Sequence, residues 1–523
     1  MPCILPGVDG TGRLRKGTQR VTSNKAMAVS NTSSLETYFD RFRRQTVGID
    51  QTFNTPYGDK RIVYADWTAS GRLYRPIEKR MAERFGPFVG NTHTESSVTG
   101  TRMTQAYHRA HALIKQHVHA SSLDVILTTG SGMTGALVKF QRILGLKVPE
   151  QLAGFMTLPD DLKPVVFVTH MEHHSNHTSW LETIADVECI EPDGRGGVDL
   201  DHLRQMLDRY RSRRLKIGAF TTCSNVTGIH TPIHELARVM HDGGGYCLAD
   251  YAASAPYVDI DMHPGHPDLR LDALFFSPHK FLGGPGASGV LIFNSNLYHL
   301  EVPDQPGGGT VDWTNPWGGR KYVEGIEERE DGGTPGFLQA IRAALAIRLK
   351  EQMGVENIRS REEELRRAAF AGLRGIPGLR MLADHIENRL SIFSFYVEGV
   401  HYNLIVKLLN DRFGIQARGG CSCAGTYGHY LLHVDPVQSK HITDRIDSGD
   451  LSEKPGWVRI SLHPTTTDAE VEYIVDAVRQ IVKHRADWGA AYRYDPARNE
   501  FRWHESDGVE GSLESWFDLG DDA

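Results

Sequence analysis

Cysteine is scarce. Six residues in a 523-residue chain (Cys3, Cys189, Cys223, Cys247, Cys421 and Cys423) are too few and too scattered for a disulfide scaffold. Reduced thiols and a cytoplasmic location are expected instead. Long apolar runs are also missing: none approaches the roughly 18 residues of a membrane helix, so no membrane association is expected. Positive charge is not in excess. Lys and Arg number 58 against 65 Asp and Glu, a net charge of −7, and no basic stripe crosses the sequence. A nucleic-acid surface is therefore not expected. No apolar secretory core follows Met1. Residues 1–35 are rich in Gly, Ser, Thr and Asn and read as a flexible leader, a composition that leaves organellar targeting open. Metal motifs are lacking too. His170, His173, His174 and His177 crowd one segment, but no thiolate pair or carboxylate follows at ligand spacing and H-E-x-x-H is absent, so no metal is expected.

Short apolar runs, by contrast, alternate with amphipathic segments from about residue 60 to 300. The runs Arg61–Ala65, Asp124–Thr128, Val165–Thr169, Lys216–Thr222, Gly245–Ala249, Ala273–Phe276 and Gly289–Phe293 read as strands. Helical patterns such as Met103–His119, Gly135–Leu144, Leu200–Arg211 and Ile233–Asp242 lie between them. That alternation predicts an α/β domain over 60–330, a mostly parallel seven-stranded sheet flanked by helices. A Gly/Pro-dense stretch, Pro303 to Gly336, precedes a smaller α+β domain at 331–486, which residues 36–59 are expected to join. Residues 487–523 form a polar, acidic extension with a hairpin pattern at Ala491–Trp503.

The most informative segment is Phe275-Phe276-Ser277-Pro278-His279-Lys280-Phe281. A buried strand stops at a Ser-Pro break and is followed by a lysine. The neighbouring run Gly245–Ala249 ends at Asp250. Ligands in parallel sheets sit at the carboxyl ends of strands. A lysine and an aspartate there suit pyridoxal phosphate: the amine forms a Schiff base and the carboxylate keeps the pyridine nitrogen protonated. Thr128-Thr129-Gly130-Ser131-Gly132-Met133-Thr134 follows a strand and opens a helix, a suitable cradle for a phosphate. His173 leaves another strand where a ring could stack on the cofactor, and Asn225 leaves a third where it could reach the cofactor's oxygen. Arg418-Gly419-Gly420-Cys421-Ser422-Cys423 is a glycine-flanked thiol loop, expected to be mobile, with Arg418 placed to favour thiolate. Arg459, in a strand-like run, offers a fork for a substrate carboxylate.

Taken in order, these motifs resemble the class V aminotransferase superfamily of PLP fold type I, and within it the cysteine desulfurase/selenocysteine lyase branch. The resemblance covers about residues 60 to 485. It implies pyridoxal 5'-phosphate on Lys280, with Ser131, Gly132, Ser277 and His279 at the phosphate and Asp250, His173 and Asn225 around the ring. It implies Arg459 and Arg418 at the substrate and Cys423 as the persulfide-forming residue. Thr310, after Gly307-Gly308-Gly309, corresponds to a loop that contacts phosphate across a dimer interface, so a homodimer is implied. The implied activity is release of sulfur from cysteine with formation of alanine, and a sulfur-acceptor protein is a further implied partner.

The chain also departs from the desulfurase pattern. Ala253 stands where glutamine is usual, the phosphate loop reads Gly-Ser-Gly-Met-Thr, and Glu330–Pro335 has one extra residue. The Cys loop reads Gly-Gly-Cys-Ser-Cys. These differences keep open an aminotransferase, epimerase or C–S lyase acting on another amino acid, and more remotely a non-catalytic sulfur carrier or scaffold.

Overall fold

A computed structural model describes residues 34–92, 94–505 and 513–520. The expected leader lies outside the described residues as far as residue 33. Seven strands form the main sheet in the spatial order Asp124–Thr129, Gly289–Asn294, Ala273–Phe276, Tyr246–Asp250, Lys216–Thr221, Val165–Thr169, Asp186–Ile190. The last five pair in parallel, and Gly289–Asn294 runs antiparallel to both its neighbours. Helices such as His174–Leu181, Leu200–Arg209 and Ile233–Asp242 make the parallel crossovers. Residues 277–288 hold only a single 3-10 turn, so the chain returns antiparallel.

Alternate residues serve opposite faces of this sheet. Val165 and Phe167 join one apolar cluster, Val166 and Val168 the other, and all four are buried. Each such side chain contributes about 1.5–3 kcal/mol by leaving water. Burial on both faces is why these strands read as unbroken apolar runs.

Two strand expectations need correction. Arg61–Ala65 does not enter the seven-stranded sheet: Val63–Tyr64 pairs in parallel with Ile415–Gln416, and the Ser461 N–H donates to the Ala65 carbonyl at 2.8 Å. The seventh strand is Asp186–Ile190, an edge strand whose first four residues are only half-buried, so its apolar signal is weak.

A second sheet orders four antiparallel strands as Leu379–Met381, Ile392–Val397, Trp457–Ser461 and Arg418–Gly420. Helices Val355–Arg374, Tyr402–Phe413 and Asp468–Gly489 close a core around Phe393, Phe395 and Ile474. A capping box of Thr467 and Glu470 starts the last of them. Glu470 also receives both terminal nitrogens of Arg43 at 2.7 and 2.6 Å, tying the helix Ser34–Arg43 to this unit. The expected hairpin forms from Tyr492–Asp495 and Glu500–Trp503 and docks through Asn403 Nδ2 donating to the Asn499 carbonyl at 2.6 Å. Among the described residues no helix is long and apolar enough to cross a membrane.

Candidate active site

The lysine loop is fixed by backbone packing. Gly71 crosses it, donating to the His279 carbonyl at 2.9 Å, and a Cβ on Gly71 would lie 2.0 Å from the Phe281 carbonyl oxygen. Only glycine permits that approach. Lys280 is thereby held over the strand ends, where burial lowers its amine to about 8 against the opposing attraction of Asp250. A lysine with so low a pKa is partly neutral near pH 7.5 and can take or give a proton.

Asp250 ends its strand and is buried, with Oδ1 accepting from the Ala252 N–H at 2.8 Å. Burial raises its carboxyl to about 6. His173 caps the helix His174–Leu181, its Nδ1 accepting from the Ser175 N–H at 3.1 Å, which leaves the proton on Nε2. Burial, then the nearby Lys280, pushes His173 down to about 3, so the ring is neutral. Behind it the buried Glu172 accepts from Thr169 Oγ1 at 2.7 Å, the Thr221 N–H at 2.9 Å and Asn176 Nδ2 at 2.7 Å. This bracket locks two strand ends to one helix; the sequence offered Glu172 beside His173 but no role for it, because the Thr221 partner lies 49 residues away.

The helix Met133–Ile143 presents its N-terminus to the cavity. Ser277 Oγ accepts from the Met133 N–H at 2.8 Å, and a Cβ on Gly132 would come within 3.2 Å of that oxygen. Ser131 and Thr134 stay exposed there, with Thr134 Oγ1 2.7 Å from Ser175 Oγ. Thr310 is not in this cavity. It is buried, and its hydroxyl donates to the Gly307 carbonyl at 2.7 Å.

Arg418 and Arg459 are cross-strand partners, and both reach Asp66. Arg459 Nη2 lies 2.7 Å from Oδ1 and Arg418 Nε 3.2 Å from Oδ2. Arg459 also donates to the Asn225 carbonyl at 3.1 Å, and its Nε has no partner. Asp66 escaped the sequence reading, although its position directly after the run Arg61–Ala65 is the same strand-end signal that marked Asp250. Asp66→Ala leaves the buried Arg459 without its carboxylate and is expected to cost about 3 kcal/mol of stability. A denaturant melt with an unchanged midpoint would contradict this.

The Cys loop is anchored where mobility was expected. Ala424 N–H closes a turn on the Cys421 carbonyl at 3.0 Å, with Ser422 and Cys423 at φ 53° and 56°. Left-handed backbone at a non-glycine residue costs about 1 kcal/mol each, a cost borne by contacts from the other sheet. The His174 N–H donates to the Cys423 carbonyl at 2.7 Å, the Gly425 N–H to His174 Nε2 at 2.9 Å, and Asn225 Nδ2 to the Ser422 carbonyl at 2.7 Å. Cys423 is exposed at the rim, beside the cavity-lining Ser422. His174→Ala removes the acceptor of Gly425. The expected results are faster amide exchange at residues 423–425 and about 1 kcal/mol less stability, readable by hydrogen exchange; unchanged protection there would refute the anchor. Cys223 also lines the cavity, but burial pushes its thiol far up and keeps it protonated.

Lys280, Asp250, His173, Asn225, Ser131, Gly132, Ser277, His279, Arg418 and Arg459 thus line one cavity of about 430 Å³. Pyridoxal phosphate suits its chemistry. A helix N-terminus with exposed hydroxyls, a buried carboxyl and an amine of lowered pKa all line the cavity. The buried Asn225 Oδ1 and Arg459 Nε both lack partners. Among the described residues no group of three His, Cys, Asp or Glu side chains is placed to hold a metal ion.

Comparison with known proteins points the same way. A probable cysteine desulfurase 2 of Mycobacterium leprae is 30% identical over 376 residues, 70% of this chain and 84% of that protein. A probable cysteine desulfurase of Halalkalibacterium halodurans is 28% identical over 369 residues, 69% of this chain and 84% of that one. The structure of a cysteine desulfurase from Thermococcus onnurineus superposes with a TM-score of 0.68 at 22% identity, covering 85% of this chain and 98% of that one, and shares the fold. Residues 63–474 match the aminotransferase class-V family, and the chain belongs to it.

Proposed function

We propose that this chain is a pyridoxal-phosphate-dependent cysteine desulfurase, a homodimer that takes sulfur from L-cysteine as a persulfide on Cys423 and leaves alanine. The observation that carries the reading is an exposed thiol on a clamped, strained turn at the rim of a cavity holding a low-pKa lysine and a buried aspartate. The relatives named above support cysteine as the substrate.

In this reading Ser131, Gly132, Ser277 and His279 hold the phosphate, Asp250 pairs the pyridine nitrogen, and His173 covers the ring. Bound there, the cofactor supplies an electron sink for the pair left at the substrate Cα. Arg459, with Arg418 beside it, orients the substrate carboxylate. Lys280 Nζ takes the Cα proton and later returns a proton to the three-carbon product. Cys423 Sγ, as thiolate, attacks the substrate sulfur. The S–S bond forms, the Cβ–S bond breaks, and its electron pair stays with the carbon fragment, which leaves as alanine.

The exposed glycines 307–309 ahead of Thr310 are assigned as the segment that reaches a second copy's phosphate site. None of the five described cysteines is paired, which fits a reducing compartment such as the cytoplasm. The test is to supply pyridoxal phosphate and L-cysteine and measure alanine and total released sulfur, sulfane and sulfide together, in equal amounts. Transamination of amino acids with 2-oxo acids, without sulfur release, would sink the reading.

A further inference from the structure

We propose that Cys421 is a resolving thiol: it attacks the persulfide on Cys423, closes a Cys421–Cys423 disulfide and releases sulfide. The proposal rests on the reading of Cys423 given above. The two thiols are the first and third residues of one turn, closed by the Ala424 N–H on the Cys421 carbonyl at 3.0 Å. Two peptide steps span at most about 7 Å, so their Cα atoms stay near the range a disulfide accepts.

The two halves of the loop are built differently. Cys423 is anchored, its carbonyl accepting from the His174 N–H at 2.7 Å. Cys421 instead follows the end of the strand Arg418–Gly420, where Gly420 lies at φ 110°, a conformation open to few other residues. Ser422 and Cys423 hold left-handed backbone, a conformation their side chains disfavour. The two thiols also differ in access. Cys423 is exposed, whereas Cys421 is half-buried and packs against the apolar core. A sulfur-accepting protein reaches the first and not the second. In the proposal, the partner of Cys421 is the sulfur chain on Cys423, two residues along the same turn.

The step balances without an outside oxidant. Cys421 thiolate attacks Sγ of Cys423, a new Sγ–Sγ bond forms, and the bond from Cys423 Sγ to the terminal sulfur breaks. The terminal sulfur leaves as hydrosulfide with that electron pair, and the Cys421 proton passes to solvent. The sulfane sulfur is reduced and the two thiols are oxidised. A small dithiol or a dithiol protein then restores them, so the product is inorganic sulfide for a sulfide-consuming reaction.

The full chain, reduced and then freed of reductant, is treated anaerobically in two arms. One arm receives sodium polysulfide; the other receives L-cysteine after loading with pyridoxal phosphate. Free thiols are alkylated and the peptide carrying both cysteines is weighed. Wild-type protein is expected to lose two hydrogens in that peptide and to release one sulfide per disulfide. Cys421→Ser and Cys421→Ala are expected to retain one extra sulfur on Cys423, with loss of sulfide release. A persulfide that stays on wild-type Cys423 in both arms, or extra sulfur found on Cys421, overturns the proposal. Disulfide in the polysulfide arm with no alanine in the cysteine arm upholds the resolving thiol and removes the desulfurase reading.

Discussion

With Lys280 replaced by alanine, alanine formation from cysteine is expected to fall about a thousand-fold. In the proposed reaction the residue has two roles, anchoring the cofactor and moving the Cα proton, and among the described residues no second amine lines the same space. A small primary amine added to the solution is expected to restore part of the rate, which a misfolded variant would not show. The lowered pKa provides a second check. Ordinary lysine amines titrate near 10.5, whereas burial brings Lys280 to about 8. Capture of an aldehyde needs the neutral amine. In cofactor-free protein the capture rate is therefore expected to rise about ten-fold per pH unit below 8 and to level off above it. A rate still climbing at pH 10, or a Lys280→Ala enzyme within ten-fold of wild type, would remove this lysine from the chemistry.

Much of this cavity was legible in the sequence because of how a parallel sheet is built. Each strand buried on both faces reads as an apolar run, and the first polar residues after it mark the ligand-binding edge. Asp250, Lys280, His173 and Asn225 all carried that signal. Asp186–Ile190 did not read as a strand, because an edge position leaves it half-exposed and its alternation dilute. Arg61–Ala65 read correctly as extended chain but to the wrong sheet, since nothing local tells a strand which partner it will find. Asp66 shows the same limit. Its partner Arg459 lies 393 residues away, and the pairing exists only once two sheets meet. The Cys loop misled in another manner. Two glycines before a thiol suggest freedom, yet three hydrogen bonds between the loop and His174 and Asn225 hold the turn in a conformation its own residues disfavour. Arg418, expected to serve the thiol, spends its guanidinium nitrogen on Asp66. Such long-range restraint has no sequence signature.

Replacing Cys423 by serine is expected to abolish persulfide on the protein and to slow alanine formation by roughly two orders of magnitude, about 3 kcal/mol of barrier. Serine keeps the shape of the turn, so the anchoring bonds from His174 and Asn225 survive. What disappears is a nucleophile able to accept sulfur, because an alcohol is a poor thiophile and stays protonated near pH 7. Neither remaining nearby thiol is expected to substitute. Cys223 lines the cavity, but its thiol is held protonated by burial, and Cys421 is half-buried against the core whereas Cys423 is exposed. Mass measurement of the protein after cysteine turnover decides the point. If Cys423→Ser released alanine and sulfur at the wild-type rate, the strained turn would have to be a structural curiosity and the sulfur would have to leave by direct elimination. That outcome would also make the clamp from His174 pointless, since elimination needs no residue held at the rim.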